Sequence, residues 1–189
     1  MDLLHRDSPP TLKLIQSKMA VEVRRIRAGE GTLLHDVRLA ALADAPAAFG
    51  STFTEEVGRP ASAWDGDAAA RATGFETANF FAEEDGRVLG MVGAFRPADA
   101  VDAVELVSMW VHPDGRGRGL GERLVGAVVD WADAAGAAKV TLWVMRGNDP
   151  AIALYTRTGF VSLGPTTHVG HPCDGELRMT LELGGASRA

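Results

Sequence analysis

The amino-acid sequence predicts an α/β fold, in which a mixed sheet carries helices on both faces. Three observations lead to this prediction. Segments with the alternating or continuous apolar residues of strands recur between segments with the spacing of amphipathic helices. Two strand-like runs meet at Asp85-Gly86, a dipeptide typical of tight hairpins because both turn positions need positive φ. A glycine-rich loop joins a further strand to a helix, as in many α/β proteins.

The first part of the chain favours one strand, then helices, then three consecutive strands. The predicted elements are a strand at 21–26, helices at 29–43, 47–57 and 63–72, and strands at 79–84, 87–95 and 101–112. Pro46 opens the second of these helices. Strands that follow one another through short turns pair as neighbours in a sheet.

The second part predicts two helices that alternate with strands. A helix runs from about Gly119 to Ala135, with apolar residues four apart, and Gly136 ends it. A shorter helix begins near Asp149, which we expect to cap it, with Pro150 at its first position and Gly159 at its end. A buried-type strand is predicted at 139–145, and two further strands are predicted at 160–163 and 176–183.

The length of the chain and the extent of its periodic apolar pattern predict one folded domain of residues 21–184. Residues 1–20 contain Pro9-Pro10 and no periodic pattern, so we expect an N-terminal extension without regular structure. Residues 185–189 form a short C-terminal tail.

Composition excludes several classes of protein. The net charge of −6 disfavours a nucleic-acid binder, which needs a basic surface. No apolar run approaches the roughly 20 residues of a membrane span, and we expect no membrane partner. Cys173 is the single cysteine, so an internal disulfide cannot form, and we expect a cytoplasmic protein.

The loop between the strand at 101–112 and the following helix has glycines at 115, 117, 119 and 121, interleaved with Arg116 and Arg118. Glycine lets backbone N–H groups approach a ligand closely, and N–H groups at a helix N-terminus attract phosphate. Two arginines add charge-assisted donors. The pattern predicts a pyrophosphate site, whereas the alternative is a flexible surface turn that carries arginines.

Neither common nucleotide motif fits this loop. A Walker loop ends in Gly-Lys-Ser/Thr, which is absent, and the dinucleotide fingerprint would need glycine at Leu120 or Glu122. The spacing Arg116-x-x-Gly119-x-Gly121 instead resembles the acyl-CoA motif of the Gcn5-related N-acetyltransferase (GNAT) superfamily. The stretch from Asn148 to Phe160 is similar to that family's Asn-x-x-Ala-x-x-x-Tyr-x-x-x-Gly-Phe pattern.

The resemblance implies a GNAT-type, mostly antiparallel central sheet and an N-acetyltransferase that moves an acetyl group from acetyl-CoA to a primary amine. It implies that the backbone of Arg116 through Glu122 holds the pyrophosphate and that the strand at Met109–Val111 pairs with the pantetheine arm. The implied cofactor-binding residues are Met109, Trp110, Val111, Arg116, Gly117, Arg118, Gly119, Leu120, Gly121, Glu122, Asn148 and Tyr155. For Asn148 the alternative is a helix cap, and for Tyr155 a core aromatic.

Catalysis requires a base for the amine and an acid for the departing thiolate. Tyr155, the only tyrosine, is the candidate acid. Glu105 is the candidate base, because its apolar neighbours on the strand would desolvate the carboxylate and raise its pKa. The alternatives are a surface or structurally paired Glu105 and a proton path through water.

The remaining interpretations concern metals, partners and acceptors. His168, His171 and Cys173 carry ligand atoms for zinc, but a fourth ligand is not obvious, so we expect no metal. The acceptor is a small molecule or a peptide or protein amine, and the resemblance leaves a homodimer open. The alternative functions are a non-catalytic CoA-binding module and an acyltransferase with another acyl group or an oxygen acceptor.

Overall fold

The computed structural model describes residues 20–164 and 175–184. In this part of the chain seven strands form one sheet in the order β1-β2-β3-β4-β5-β7-β6. The strands are β1 (Glu22–Arg25), β2 (Thr77–Glu84), β3 (Arg87–Phe95), β4 (Ala103–Val111), β5 (Lys139–Met145), β6 (Val161–Ser162) and β7 (Glu176–Glu182). All neighbours are antiparallel except β4 and β5, which are parallel. The predicted mixed, mostly antiparallel sheet is confirmed.

Helices cover both faces of this sheet, as predicted. They are α1 (Gly31–Asp44), α2 (Phe53–Val57), α3 (Ala61–Ala72), α4 (Leu120–Ala134) and α5 (Asp149–Arg157). One core cluster joins α4 to one sheet face through Leu124, Val128 and Leu142. A second joins α1 and α3 to the opposite face through Leu34, Trp64 and Phe81. None of the helices within the described ranges is long and apolar enough to cross a membrane.

The Asp85-Gly86 hairpin prediction is confirmed. Asp85 has φ 51° and Gly86 has φ 79°, and Glu84 pairs with Arg87 across the turn. Positive φ at both central positions gives a turn whose twist matches that of the flanking strands.

The predicted helix over 47–57 is wrong. A single 3₁₀ turn occupies Pro46–Ala48, and α2 begins only at Phe53. The start of α2 is set by a capping box: the Thr52 side chain accepts from the Glu55 N–H, and the Glu55 carboxylate accepts from the Thr52 N–H at 2.7 Å. The cap of α5 is also one residue earlier than predicted, at Asn148 rather than Asp149.

The feature that positions the site is a separation of the two parallel strands. β4 and β5 pair only from Ala103 opposite Lys139 to Leu106 opposite Leu142. Beyond Leu106, β4 contains Ser108 at φ 55° and β5 continues alongside β7 to Met145. Unpaired backbone edges and a gap therefore open between the C-terminal halves of β4 and β5.

Candidate active site

A cavity of about 660 Å³ lies between the end of β4, the glycine-rich loop and the start of α5. We term it the loop cavity. All the predicted cofactor-binding residues line it except Arg118 and Tyr155. Two sequence motifs that are about 30 residues apart in the chain thus meet around one space.

The backbone of the loop is shaped by left-handed glycines. Gly117 has φ 71°, and Gly119, the N-cap of α4, has φ 74°. A Cβ on either glycine would have no heavy atom within 4 Å, so both backbones are uncovered. The N-cap residue Gly119 has no side chain, so α4 begins without a side-chain hydrogen bond from its N-cap. This helix end attracts anions.

The two arginines of the loop have different surroundings. The Arg116 Nε donates to the Val111 carbonyl at 3.1 Å, and its guanidinium pairs with Asp44, which also accepts from the Trp110 indole at 2.8 Å. Arg118 instead reaches Glu84 on β2. Of these two arginines, only Arg116 lines the loop cavity.

A second cation at the loop cavity was missed by sequence analysis. Arg157, in the last turn of α5, lines the cavity and donates to Glu122 at 2.8 Å. It lies between the defined positions of the α5 motif, so no pattern pointed to it.

A smaller cavity of about 170 Å³ adjoins the loop cavity at the gap between β4 and β5. We term it the strand cavity. The two cavities share Met109, Asn148, Ala48 and Ala151 in their linings. The lining of the strand cavity also includes Val107 and Ser108 from β4, Trp143 and Met145 from β5, Tyr155 from α5 and Glu176 from β7.

Tyr155 belongs both to the core and to the strand cavity. Its side chain is 5% exposed and packs against Phe160, with ring centroids 5.8 Å apart. Burial raises the pKa of its phenol well above the usual value. The raised pKa keeps the proton on the phenol at neutral pH and makes the phenol a weaker proton donor than an exposed tyrosine.

Asn148 is placed both to cap α5 and to contact a ligand in the cavities. Its side-chain oxygen accepts from the Ala151 N–H at 3.3 Å and so caps α5. The same residue lines both cavities, and its amide nitrogen carries two further donors. The cap fixes the orientation of the side chain at the junction between the cavities.

Glu105 lies on β4, opposite Phe95 and Thr141, and lines neither cavity. Alternation along the strand puts it on the same sheet face as Val107, about 7 Å further along. Val107 lines the strand cavity. The structure thus does not bring Glu105 into direct contact with that space.

The strand cavity contains two residues that sequence analysis did not assign to a site. Trp143 and Glu176 belong to the strands predicted at 139–145 and 176–183, and no motif pointed to either residue. Both face the gap because β5 and β7 continue past the point where β4 separates from β5.

Metal ligands are not brought together in the described ranges, where no three His, Cys, Asp or Glu side chains form a group that could hold an ion. His168, His171 and Cys173 lie outside the described residues.

Comparisons with known proteins agree with this geometry. Residues 42–160 match the model of the acetyltransferase (GNAT) family. An L-methionine sulfoximine/L-methionine sulfone acetyltransferase from Pseudomonas aeruginosa is 30% identical over 146 residues, which are 71% of this chain and 84% of that protein. The L-amino acid N-acyltransferase MnaT of Escherichia coli is 31% identical over 90 residues, about half of each chain (47% and 52%).

The fold is also similar to solved structures. The structure of yncA from Salmonella typhimurium with its cofactor acetyl-CoA superposes with a TM-score of 0.70 at 21% sequence identity, covering 90% of this chain and 98% of that one.

Proposed function

The chain belongs to the GNAT family of acetyltransferases, and we propose that it transfers an acetyl group from acetyl-CoA to a primary amine of a small molecule or peptide. Transfer occurs by direct attack within a ternary complex. The observation that carries this proposal is that the loop cavity and the strand cavity share four lining residues, and that Tyr155 lies in the wall of the strand cavity.

The residues of the loop cavity fit the phosphate and pantetheine portions of the cofactor. Two uncovered glycines and the uncapped start of α4 offer N–H groups to a pyrophosphate. Arg116 and Arg157 supply positive charge at the same cavity. The unpaired edge of β4 beyond Leu106 suits an extended amide-bearing chain, which would hydrogen-bond as an added strand.

Bound acetyl-CoA supplies a thioester whose acyl carbon accepts the amine. We assign the main-chain N–H groups near Met109 to Val111 to polarising the thioester carbonyl. Tyr155 holds a proton on its phenol oxygen in the wall of the strand cavity and donates it as charge develops on sulfur. Burial of the ring excludes water from this side of the reaction.

The acceptor amine must lose a proton before it attacks. An alkyl amine with a pKa of about 10.4 is only about 0.1% deprotonated at neutral pH. We propose Glu105 as the base that receives this proton through water, because it lies on the same face as Val107 at the edge of the strand cavity.

The names of the relatives support a small acceptor. The Pseudomonas protein is named for methionine sulfoximine and methionine sulfone, and the Escherichia protein for L-amino acids. These are small molecules with a primary amine, of a size that suits a strand cavity of about 170 Å³.

The test is release of free CoA thiol from acetyl-CoA across a panel of amino acids, polyamines and peptides. We expect release with at least one amine and acetylated product by mass spectrometry. Desulfo-CoA at 100 times its Kd should stabilise the protein by about 2.7 kcal/mol, since its pyrophosphate and pantetheine occupy the loop cavity. Stabilisation by NAD or ATP but not by CoA would contradict the proposal.

A further inference from the structure

A third, polar pocket adjoins the strand cavity on the α1–α3 side of the sheet. It has a volume of about 70 Å³ and is lined by side chains from α1, α3 and the sheet and from the α2 region. We term it the arginine pocket. The residues on which the argument rests are Arg38, Glu56, Arg59, Trp64, Asn79 and Ser108.

Two buried donors in this pocket have no acceptor. Asn79 is 2% exposed and Trp64 is 3% exposed. The Asn79 amide nitrogen and the Trp64 indole nitrogen have no hydrogen-bond partner in the part of the chain that the structure describes. Buried polar atoms are nearly always satisfied, so these two donors, on residues that line one pocket, are available to an acceptor that enters it.

The charge around the pocket is positive. Three arginines line it, at 38, 59 and 71. The carboxylate of Glu56 accepts from Ser51 at 2.7 Å and from Arg59 at 3.1 Å, and lies 3.5 Å from Arg38.

The only other carboxylate paired with these arginines in the described ranges is Asp67, which binds Arg59 at 2.9 Å and Arg71 at 3.1 Å. Three positive charges against two negative ones leave one positive charge without a counter-ion. Arg38 is 13% exposed, and Arg59 and Arg71 are 33% and 32% exposed, so the excess cation is partly buried and favours an anionic ligand.

Ser108 connects the pocket to the site of acetyl transfer. It lines both the arginine pocket and the strand cavity, and its hydroxyl accepts from Arg38 at 3.1 Å. The next residue, Met109, lines both the strand cavity and the loop cavity. The adjacent residues Ser108 and Met109 therefore link the arginine pocket to both cavities in which we place the acceptor and the cofactor.

We propose that the arginine pocket binds a carboxylate of the acceptor, so that the substrate is an amino acid whose amine lies in the strand cavity. The pocket volume of about 70 Å³ is several times the ~10–15 Å³ that one water needs, which leaves room for a carboxylate. Its oxygens accept from Arg38, Trp64 and Asn79. This inference rests on the proposed acetyl transfer and names the substrate class for it.

The first test compares acceptors that differ only at the carboxylate. Each active L-amino acid is assayed for thiol release beside its carboxamide and its decarboxylated amine. We expect kcat/KM to fall by about 10²-fold without the carboxylate, because buried donors and an excess cation then remain unpaired. Equal kcat/KM for the free acid and the amide would overturn the inference while leaving the amine acetyltransferase intact.

The second test removes single donors. Trp64→Phe deletes an N–H that has no partner within the protein, and Asn79→Leu does the same for an amide of similar size. We expect each to raise KM for the amino acid about tenfold, the loss of one hydrogen bond to a charged group. KM for the carboxamide and the Kd of acetyl-CoA should not change.

Trp131→Phe is the matched control. The Trp131 side chain is also buried, at 6% exposure, but its N–H donates to the Gly74 carbonyl at 3.2 Å and it lines none of the three cavities. We expect no change in KM for the amino acid. An unchanged KM in both Trp64→Phe and Asn79→Leu would mean that these donors serve ordered water, and it would overturn the inference.

A binding measurement separates this inference from the proposed function. In the presence of CoA, the amino acid should raise the melting temperature more than its carboxamide does, whether or not turnover occurs. If no amine supports thiol release but this difference persists and is lost in Trp64→Phe, the proposed function falls and the carboxylate site stands. Equal shifts for acid and amide would overturn the site.

Discussion

The loop cavity and the arginine pocket are built in opposite ways. The loop cavity takes most of its wall from the consecutive residues 109–122, and it offers a ligand mainly backbone N–H groups. The arginine pocket is assembled from side chains as far apart in the chain as Leu34 and Ser108. A phosphate held by backbone requires only a local conformation, whereas a carboxylate held by side chains requires distant elements to pack together.

This difference explains why one cavity has a sequence signature and the other has none. Backbone recognition demands glycine at fixed spacings, because only glycine adopts positive φ without strain and leaves the N–H groups uncovered. Side-chain recognition permits many solutions, since an arginine can reach the same point from several helices. Substrate choice can therefore change while the cofactor motif stays the same.

The largest expected effect is at the boundary between the two regions, where Tyr155 lines the strand cavity. We expect Tyr155→Phe to lower kcat by roughly 10²-fold, the low end for a positioned acid, while the Kd of acetyl-CoA changes less than about threefold. The ring stays, so packing against Phe160 is kept. Steady-state kinetics and calorimetry measure the two quantities.

The pH profile sharpens this assignment. Because burial raises the pKa of the phenol, Tyr155 keeps its proton throughout the range in which the acceptor amine loses one. Activity in the wild type should therefore rise between pH 7 and 9 with no alkaline decline from Tyr155.

Full activity in Tyr155→Phe would leave this residue as core packing, and a large loss of acetyl-CoA affinity would assign it to binding.

Substitutions of Glu105 and Glu176 test which carboxylate receives the proton of the acceptor amine. We expect Glu105→Gln to lower kcat/KM about 30-fold at pH 7, below the usual 10²–10⁴-fold because the proton passes through water, and to lose less at pH 9. Glu176 lines the strand cavity, and we expect Glu176→Gln to lower kcat/KM less than threefold. The reverse order, measured over the same pH range, would make Glu176 the base.

Gly119 and Gly74 form a matched pair for testing the backbone of the loop, because an alanine would be equally strained at either position. Gly119 has φ 74° and Gly74 has φ 71°, and neither Cβ would meet a heavy atom within 4 Å. Substitution by alanine should cost each protein about 1–2 kcal/mol of stability from the left-handed conformation.

Only Gly119→Ala should also weaken acetyl-CoA binding, by about tenfold, because its methyl group projects where the pyrophosphate approaches. Thermal unfolding gives the first quantity and isothermal titration the second. Equal cofactor affinity in the two variants would show that the loop cavity is not the cofactor site.

The smallest effects concern Arg116 and Arg118, the two arginines of the loop, both of which were predicted to bind the cofactor. We expect Arg116→Gln to weaken acetyl-CoA binding about fivefold at low salt and less at high salt, since its guanidinium is partly solvent-exposed and screened. Arg118→Gln should change the Kd less than twofold, because its partner is Glu84 and it lies outside the cavity. Titrations at two ionic strengths compare them, and a larger effect at Arg118 would refute the assignment.

Much of the fold and of the lining of the loop cavity could be predicted because the signals are local. The Asp85-Gly86 turn, the strand-to-helix loop and the end of α4 near Gly136 each depend on φ values that the residues themselves favour. The helix predicted over 47–57 failed for a local reason as well. Thr52 and Glu55 form a capping box there, and this box starts a new helix instead of continuing the old one.

The sequence by itself determined the order of the elements, the glycine-rich loop and the motif residues, most of which line the loop cavity. Only the tertiary structure decided that Arg116 faces the cavity while Arg118 turns to Glu84, that Glu105 lies outside both site cavities, and that Trp64 and Asn79 are left with unpaired donors. Backbone conformation is a short-range property that a few residues fix. The partner of a side chain depends on which distant element packs against it, and here that follows from the separation of β4 from β5 and the docking of α1 and α3 on the sheet.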